Sequence, residues 1–242
     1  MKIEPNILTV LGAAVTDGNR LVLTGQLDRK TYEAANKVLT AIGGKWNRSA
    51  KAHLFEGDAA EVVDQVLMTG EYSRTKQDFG QFDTPEVLAR EIVTIAGIGP
   101  KDVVLEPSAG IGNIARALRE TGALVTCHEI DETRVKKLRE TFPDTFSGDF
   151  LTAEPDPVYT AVVMNPPFAK QADIDHVLHA AKFLAPGGKL VAIMSASVLY
   201  RSNRKTEEFR DWVAAQGGTI EPLPENSFAS SGTKVNTVLV RF

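Results

Sequence analysis

From Thr84 onward, short apolar runs alternate with segments of helical periodicity, and this alternation restricts the fold more than any other feature. The predicted strands are almost entirely apolar in their interiors, and in chain order they read DVVLEP, LVTCHEI, TAVVMN and KLVAIMSAS. Such strands are typical of a parallel sheet that helices cover on both faces. Two further strands, TIEPLP and VNTVLVRF, follow the last predicted helix. The sequence therefore predicts an α/β fold.

The segments between these strands carry helix signals. Thr84 is expected to be an N-cap with Pro85 at the first helical position, opening the helix EVLAREIVTIAG. The later helices are NIARALRETG, ETRVKKLRETF, DIDHVLHAAKFLA and KTEEFRDWVAAQ. A turn is predicted at Pro186-Gly187-Gly188, directly before the strand KLVAIMSAS.

Residues 1–75 are predicted to form a separate small α+β module. Two strand-like runs, ILTVLGAAV and NRLVLTGQL, flank the turn signal Asp17-Gly18-Asn19. Asp28 is expected to cap the helix RKTYEAANKVLTAI, and Asp58 the helix AAEVVDQVLM, with the strand-like stretch KWNRSAKAHLF between them. The polar segment from Glu71 to Phe82 is the predicted linker. Residues 76–242 then form a second, larger domain.

Composition narrows the class of protein. The chain has 242 residues, of which 43% are hydrophobic and 24% charged, which is ordinary for a globular protein. Its apolar runs fall well short of the roughly 20 residues that cross a bilayer, so no membrane association is expected. The N-terminal residues lack the pattern of a signal peptide and Cys127 is the single cysteine, so a cytoplasmic protein is expected. A net charge of −4 argues against a protein that coats nucleic acid with its whole surface.

A glycine turn joins the first of these strands to the next helix. In VVLEPSAGIGNIARAL, Gly110 and Gly112 permit a tight turn that brings backbone N–H groups close to a ligand. Glu129 lies about 20 residues after the glycines. At this spacing in the sequence, an acid can accept hydrogen bonds from the ribose hydroxyls of a bound cofactor. The third glycine of the dinucleotide pattern is missing, because Asn113 follows Gly112 directly. A cofactor with ribose but no phosphate also explains Glu106, which would repel phosphate but bind an ammonium group.

The motifs EPSAGIGN, HEID, SGDF and NPPF, in that order, resemble those of S-adenosylmethionine-dependent N6-adenine DNA methyltransferases with the gamma motif order. The resemblance covers roughly residues 80–242 and includes QFDTPEVLAREIV, which in that family covers the methionine end of the cofactor, and NSFASSGTKVNTVLV, the last segment. It implies a class I fold: a seven-stranded, mostly parallel sheet with a reversed last strand. It also implies S-adenosylmethionine as cofactor and flipped adenine in DNA as substrate.

The resemblance assigns residues to two sets. The implied cofactor-binding residues are Phe82, Thr84, Glu106, Ser108, Gly110, Gly112, Asn113, Glu129, Ile130, Asp149, Phe150 and Asn165. The implied catalytic residues are Asn165, Pro166, Pro167 and Phe168.

The chemistry of Asn165 to Phe168 suits an exocyclic amine independently of the resemblance. Such an amine is a poor nucleophile because its lone pair is delocalised into the ring, so the site must hold its N–H bonds with acceptors. The Asn165 side-chain oxygen and the Pro166 carbonyl are acceptors, and neither proline adds a competing N–H. Phe168 is expected to supply a flat face for an extruded base. No strong general base is needed, because the methylated ammonium loses its proton readily.

Nucleic-acid contacts are predicted mainly in the N-terminal module. Between Asp28 and Phe55 there are six basic residues and two acidic ones, and Trp46 lies among them. The predicted contacts are Lys45, Trp46, Arg48 and Lys51, together with Arg201 and Arg204 of the loop YRSNRK. No large recognition region follows the NPPF motif, which favours low or short sequence specificity.

Several alternatives stay open from the residues alone. The acceptor can instead be guanine N2 or adenine N6 in RNA, cytosine N4, or a protein glutamine, and a catalytically idle nucleic-acid-binding protein is the alternative of another class. Cys127 lies inside an apolar strand and is expected to pack there, which argues against thiolate chemistry at cytosine C5. His176 and His179 have a spacing that can bind metal, but a solvated or capping role is expected, and no metal is predicted.

Overall fold

The structure is a computed structural model that describes residues 2–71, 82–233 and 235–242. Within these ranges the chain divides into two compact units. The first is drawn from Met1–Phe79 and Ser195–Asp211, and the second from Gly80–Met194 and Trp212–Phe242. Most of the predicted linker, and with it the predicted domain boundary at residue 75, lies outside the described residues.

The first unit is a small sheet with helices packed against it. Its elements are α1 (Pro5–Gly12), β1 (Val15–Asp17), β2 (Arg20–Val22), α2 (Arg29–Ala41), β3 (Lys45–Asn47), β4 (Ala52–Leu54) and α3 (Ala59–Thr69). The described strands pair antiparallel in the order β1-β2-β4-β3, so β3 is an edge strand. The predicted N-caps are confirmed, because Asp28 accepts from the Thr31 N–H and Asp58 from the Ala60 N–H.

The prediction of a strand at ILTVLGAAV is wrong for most of that run, because the residues up to Gly12 belong to helix α1. Pro5 occupies the first turn, where its fixed φ favours a helix. Ile7, Leu8 and Leu11 recur at helical spacing and are buried on one face. A short apolar run carries little periodicity, and therefore strand and helix could not be separated from the sequence.

The second unit contains the predicted alternation of strands and helices. Its elements up to the last parallel strand are α4 (Glu86–Ile95), β5 (Val103–Glu106), α5 (Asn113–Glu120), β6 (Leu124–Glu129), α6 (Glu132–Arg139), β7 (Phe146–Ser147), β8 (Tyr159–Met164), α7 (Ala172–Ala180) and β9 (Leu184–Ser195). The remaining α-helices and strands in the described ranges are α8 (Ser197–Tyr200), α9 (Arg204–Ala215), β10 (Thr219–Pro222) and β11 (Thr237–Arg241). None of the helices in the described ranges is long and apolar enough to span a membrane.

The described strands from β5 onward form one seven-stranded sheet, in the order β10-β11-β9-β8-β5-β6-β7. Neighbours from β7 to β9 are parallel, with Val104 of β5 paired to both Val125 of β6 and Ala161 of β8. The last strand is reversed: β11 pairs antiparallel with β10, and Leu190 and Phe242 exchange both backbone hydrogen bonds as antiparallel partners do. The predicted fold class is therefore confirmed.

Two local predictions differ from the structure. Helix α4 begins at Glu86 with Pro85 as its N-cap. Thr84, the predicted N-cap, therefore lies one residue before the cap, and within the described ranges its side chain does not bond to the first turn of the helix. The predicted turn at Pro186 to Gly188 lies within β9, where the pairing jumps from Tyr159–Leu184 to Ala161–Lys189. The glycines and proline therefore form a bulge in the strand.

Residues 195–211 group with the first unit, although the sequence assigned them to the catalytic domain. They include α8 and most of α9. A Cβ atom added to Gly12 of α1 would lie 2.4 Å from the carbonyl oxygen of Tyr200, so the glycine is what permits this close approach. Tyr200 also packs against the apolar core of the first unit. This long-range packing has no signature in the local sequence.

Candidate active site

The predicted polar residues meet at one edge of the seven-stranded sheet. Glu106 ends β5, Glu129 ends β6, Asn165 directly follows β8, and Asp149 follows β7. These strands are neighbours in the sheet and run parallel, so their carboxyl ends lie side by side. Ligands of open α/β folds bind at this edge.

A cavity of about 480 Å³ opens there. Eleven of the twelve implied cofactor residues line it: Phe82, Thr84, Glu106, Ser108, Gly110, Asn113, Glu129, Ile130, Asp149, Phe150 and Asn165. Pro167 lines it as well, whereas Gly112, Pro166 and Phe168 do not. The cavity is within the 300–1,000 Å³ range of small-molecule and cofactor sites.

The glycine turn is built as the sequence indicates. Gly110 and Gly112 have φ angles of 57° and 83°, a region that glycine adopts readily. A Cβ atom on Gly112 would lie 2.7 Å from Cδ2 of Leu138, so this residue lets helix α6 pack against the turn. Its role is therefore to shape the turn, while Gly110 forms part of the wall.

Glu129 anchors the glycine turn to the end of β6. Its Oε2 accepts from the Gly110 N–H at 2.7 Å, and its Oε1 accepts from the N–H groups of Ile130 and Asp131 at 3.0 and 2.9 Å. The side chain is buried, and these bonds hold its orientation. A carboxylate has about four acceptor sites, so capacity for ribose hydroxyls remains.

Glu106 is a buried carboxyl whose Oε2 has no hydrogen-bond partner among the described residues. Burial raises its pKa well above the ordinary value, and the charge of Glu129 adds to this, while the Ala115 N–H and the charge of Arg116 act in the opposite direction. An unpartnered acceptor in a cavity wall fits the ammonium group of an amino-acid-bearing cofactor. The predicted pairing of ribose and ammonium acceptors is thus compatible with S-adenosylmethionine.

Both N–H donors of the Asn165 side-chain amide have acceptors. Its Nδ2 donates to the Phe82 carbonyl oxygen at 2.9 Å and to Thr84 Oγ1 at 3.0 Å. Its Oδ1 is buried and has no partner in the described part of the chain. Asn165 lines the cavity, and its side chain therefore has one unpartnered acceptor and no spare donor.

Phe168 does not present the exposed stacking face that the sequence suggested. It is 4% exposed and packs against Phe82, with ring centroids 6.2 Å apart at 43°. Pro166 is buried beside it. An aromatic pair of this geometry is stabilising in itself, which explains why the ring faces inward.

The cavity wall also contains residues that the sequence did not suggest: Asp83, Pro107, Ala109, Ile111, Ile114, Gly148, Leu151 and His176. The predicted solvated role of His176 is wrong, because the ring is buried and its Nδ1 donates to the Ala172 carbonyl oxygen at 2.8 Å. Burial also lowers its pKa, so the neutral ring is favoured. Its position follows from the packing of α7, which no short motif encodes.

Cys127 is buried, as predicted. Burial, with the nearby charge of Glu106, raises the pKa of its thiol well above the ordinary value. A thiolate nucleophile at this position is therefore disfavoured.

The predicted nucleic-acid contacts are in the first unit. Lys45, Trp46, Arg48 and Lys51 are exposed on and around the edge strand β3, and Arg204 is exposed with Glu208 as its ion-pair partner. Arg201 differs, because its guanidinium is largely buried and paired with Asp64, and burial lowers its pKa to about 10. Arg201 is therefore not presented for phosphate contact.

Strand order, glycine turn and acids at the strand ends together define a class I, S-adenosylmethionine-dependent methyltransferase. The chain belongs to the family described as "Methyltransferase small domain", whose model matches residues 63–217. Family membership confirms the predicted cofactor, S-adenosylmethionine.

The curated relatives of this chain carry names of ribosomal RNA methyltransferases. Ribosomal RNA small subunit methyltransferase A of Thermotoga petrophila is 37% identical over 102 residues, which cover 40% of this chain and 39% of the relative. An rRNA adenine N-6-methyltransferase of Saccharopolyspora erythraea is 34% identical over 122 residues, covering 48% of this chain and 32% of the relative. The chain thus spans well under half the length of either relative.

Among solved structures, a type I restriction-modification methyltransferase subunit from Streptococcus thermophilus superposes with a TM-score of 0.58 at 18% identity. The match covers 88% of this chain and 53% of that one. At this identity the similarity establishes the fold alone.

Glu106→Gln is expected to stabilise the protein without cofactor and to weaken cofactor binding. Because the pKa of Glu106 is raised on folding, the native state holds a proton that the unfolded state releases above about pH 4.5, and wild-type stability falls as pH rises through that range. The variant should therefore gain roughly 1–3 kcal/mol in urea unfolding at pH 8 and little at pH 4. Calorimetry should find S-adenosylhomocysteine bound about tenfold more weakly.

Exposed Glu91 provides the matched control, since Glu91→Gln should change neither quantity. Equal stability of Glu106→Gln and wild type at both pH values, with unchanged cofactor affinity, would contradict the role assigned to Glu106.

Proposed function

We propose that the protein transfers the methyl group of S-adenosylmethionine to the N6 amine of adenine in DNA. The observation that carries this proposal is the Oδ1 atom of Asn165, a buried acceptor in the cavity wall that has no partner among the described residues. A buried acceptor without a donor costs roughly 1–3 kcal/mol, so its natural complement is a ligand N–H. An exocyclic amine supplies such a donor.

The residues around Asn165 favour an amine over other acceptors of a methyl group. Acceptors that hold the amine N–H bonds turn its lone pair out of the ring, and Asn165 Oδ1 is the candidate for this role, since Pro166 does not line the cavity. Pro167 lines the cavity and has no N–H that would compete for the Asn165 oxygen. When bound, S-adenosylmethionine supplies a methyl group already activated by its sulfonium, so the chain needs to position the amine and exclude water.

Adenine in DNA is supported by the resemblance of the motif set to N6-adenine DNA methyltransferases. Adenine in RNA is the second candidate, because the sequence relatives carry names of ribosomal RNA methyltransferases, one of them an adenine N-6-methyltransferase. Both candidates place the same amine against Asn165. They differ in the polymer, which a direct assay separates.

Asn165→Ala is expected to abolish methyl transfer, with a loss of at least about a hundredfold in kcat, because a preorganised polar group at the reacting amine is removed. The measurement is mass spectrometry of nucleosides from DNA and from RNA, each incubated with the protein and labelled S-adenosylmethionine. Asn6→Ala, at an exposed position of α1, is the matched control and should retain wild-type activity. The expected product is N6-methyladenine in DNA.

Other outcomes of that assay have distinct meanings. N6-methyladenine in RNA alone would transfer the proposal to RNA, and N4-methylcytosine or N2-methylguanine would refute adenine as the acceptor. Retained activity in Asn165→Ala would refute the site. Cofactor binding without methyl transfer to DNA or RNA would return the protein to the idle-scaffold or protein-glutamine alternatives.

We further propose that the exposed surface around β3, formed by Lys45, Trp46, Arg48 and Lys51, binds the nucleic acid. The three cations are exposed and lie within five residues of Trp46 along the chain, and Trp46 is itself 54% exposed. The Trp46 ring packs edge-on against His53, with centroids 5.2 Å apart, so its orientation is supported from within the unit. Cations that contact phosphates and an aromatic ring that stacks on bases are the usual combination for gripping a strand. Arg204 is a further exposed cation of the same unit.

Trp46→Ala should weaken binding of single-stranded DNA by about ten- to a hundredfold, the loss that follows removal of one stacking residue. Lys45→Ala should instead reduce the magnitude of the slope of log affinity against log salt concentration by about one, because one phosphate contact is lost. Both are measured by fluorescence anisotropy over a salt series, with Lys101→Ala at an exposed position of the second unit as control. Unchanged affinity in both variants would remove this surface from the proposal.

A further inference from the structure

Residues 82–84 are held by hydrogen bonds from several separate elements of the second unit. Asn165, after β8, donates to Phe82 O and Thr84 Oγ1, and Asn113, at the start of α5, donates to Thr84 O at 2.6 Å. Ser231, in the loop before β11, donates to Asp83 O at 2.7 Å, and Arg134 of α6 pairs with the Asp83 carboxylate at 3.1 Å. The 82–84 segment is thereby fixed against the cavity.

This segment determines which way the Asn165 amide points. A backbone carbonyl can only accept, so the atom facing Phe82 O must be the amide nitrogen. Turning the amide over would set two oxygens against each other and leave the nitrogen without an acceptor among the described residues. Thr84 Oγ1 takes the second amide proton at 3.0 Å. Both donors are therefore used on the 82–84 segment, and Oδ1 is the atom left for a ligand.

We propose that Thr84 is a positioning residue for methyl transfer, holding the Asn165 amide so that its oxygen meets the acceptor amine. This inference rests on the proposed function of Asn165. Thr84 is 6% exposed, and its hydroxyl is the one side-chain partner of the Asn165 amide found in the described residues. Its backbone carbonyl is bonded separately to Asn113, so a side-chain substitution leaves that link to the glycine turn in place.

The hydroxyl can be removed with little change of shape. Thr84→Val keeps the branched side chain but loses the acceptor, whereas Thr84→Ser restores the acceptor without the methyl group. Thr94→Val is the matched control, because Thr94 is exposed and its hydroxyl donates to the Arg90 carbonyl of its own helix. Each variant is assayed on the nucleic acid that the wild type methylates, and S-adenosylhomocysteine binding is measured by calorimetry.

For Thr84→Val, kcat should fall about ten- to a hundredfold, because the amide is no longer held in one geometry. Because Thr84 also lines the cofactor cavity, kcat is measured at saturating S-adenosylmethionine, and S-adenosylhomocysteine affinity is measured separately, so that a loss of cofactor binding is not taken for a loss of positioning. Thr84→Ser should recover most of the lost kcat. A Thr84→Val enzyme that loses cofactor affinity while keeping kcat, or that matches wild type in both, would overturn the proposal.

A second readout does not depend on activity. In wild-type protein both Asn165 side-chain amide protons, assigned by NMR through their loss in Asn165→Ala, should exchange slowly with solvent. In Thr84→Val one of them should exchange about five- to tenfold faster, as expected for the loss of one hydrogen bond. Identical exchange in both proteins would overturn the positioning role. If the wild type methylates no nucleic acid, the proposed function fails, and amide exchange still decides whether Thr84 orients Asn165.

Discussion

The parallel pairing of β6, β5 and β8 is the constraint on which the whole site depends. The register that joins Val104 to Val125 and to Ala161 brings the ends of the three strands to one edge. Glu129, Glu106 and Asn165 stand at or just after those ends, and they therefore line one cavity although up to 59 residues separate them along the chain. A shift of one residue in either pairing would turn these side chains away from the cavity.

Two of these residues carry buried acceptors that the protein itself does not satisfy. Glu106 Oε2 and Asn165 Oδ1 lack partners in the described ranges, although buried polar atoms are nearly always bonded. The free-energy cost of leaving these two atoms without partners is removed when a ligand supplies the donors. In the proposed function the donors are an ammonium group for Glu106 and an amine for Asn165. By contrast, Glu129 accepts from three backbone N–H groups, and the amide nitrogen of Asn165 donates to Phe82 O and Thr84 Oγ1. These bonds hold the geometry of the site, while Glu106 Oε2, Asn165 Oδ1 and the remaining acceptor capacity of Glu129 are left for a ligand.

The sequence predicted the elements whose signals are local. Caps at Asp28 and Asp58, the apolar strands and the glycine turn all depend on residues within a few positions of each other. Features that depend on packing between distant segments were not predictable in the same way. The packing of Phe168 on Phe82, the burial of His176 and the pairing of Arg201 with Asp64 each join segments that no short motif relates. Helix α1 was missed for a different reason, because its apolar run is too short to show a period.

The central claim is that Asn165 Oδ1 accepts a hydrogen bond from the amine that is methylated. It is tested most directly by a crystal structure of the protein with S-adenosylhomocysteine and an adenine-containing oligonucleotide of the kind it methylates. The predicted result places N6 of an adenine about 2.7–3.2 Å from Asn165 Oδ1, with Nδ2 still bonded to Phe82 O and Thr84 Oγ1. An adenine bound elsewhere in the cavity, or an Asn165 amide turned so that Nδ2 faces the base, would contradict the claim.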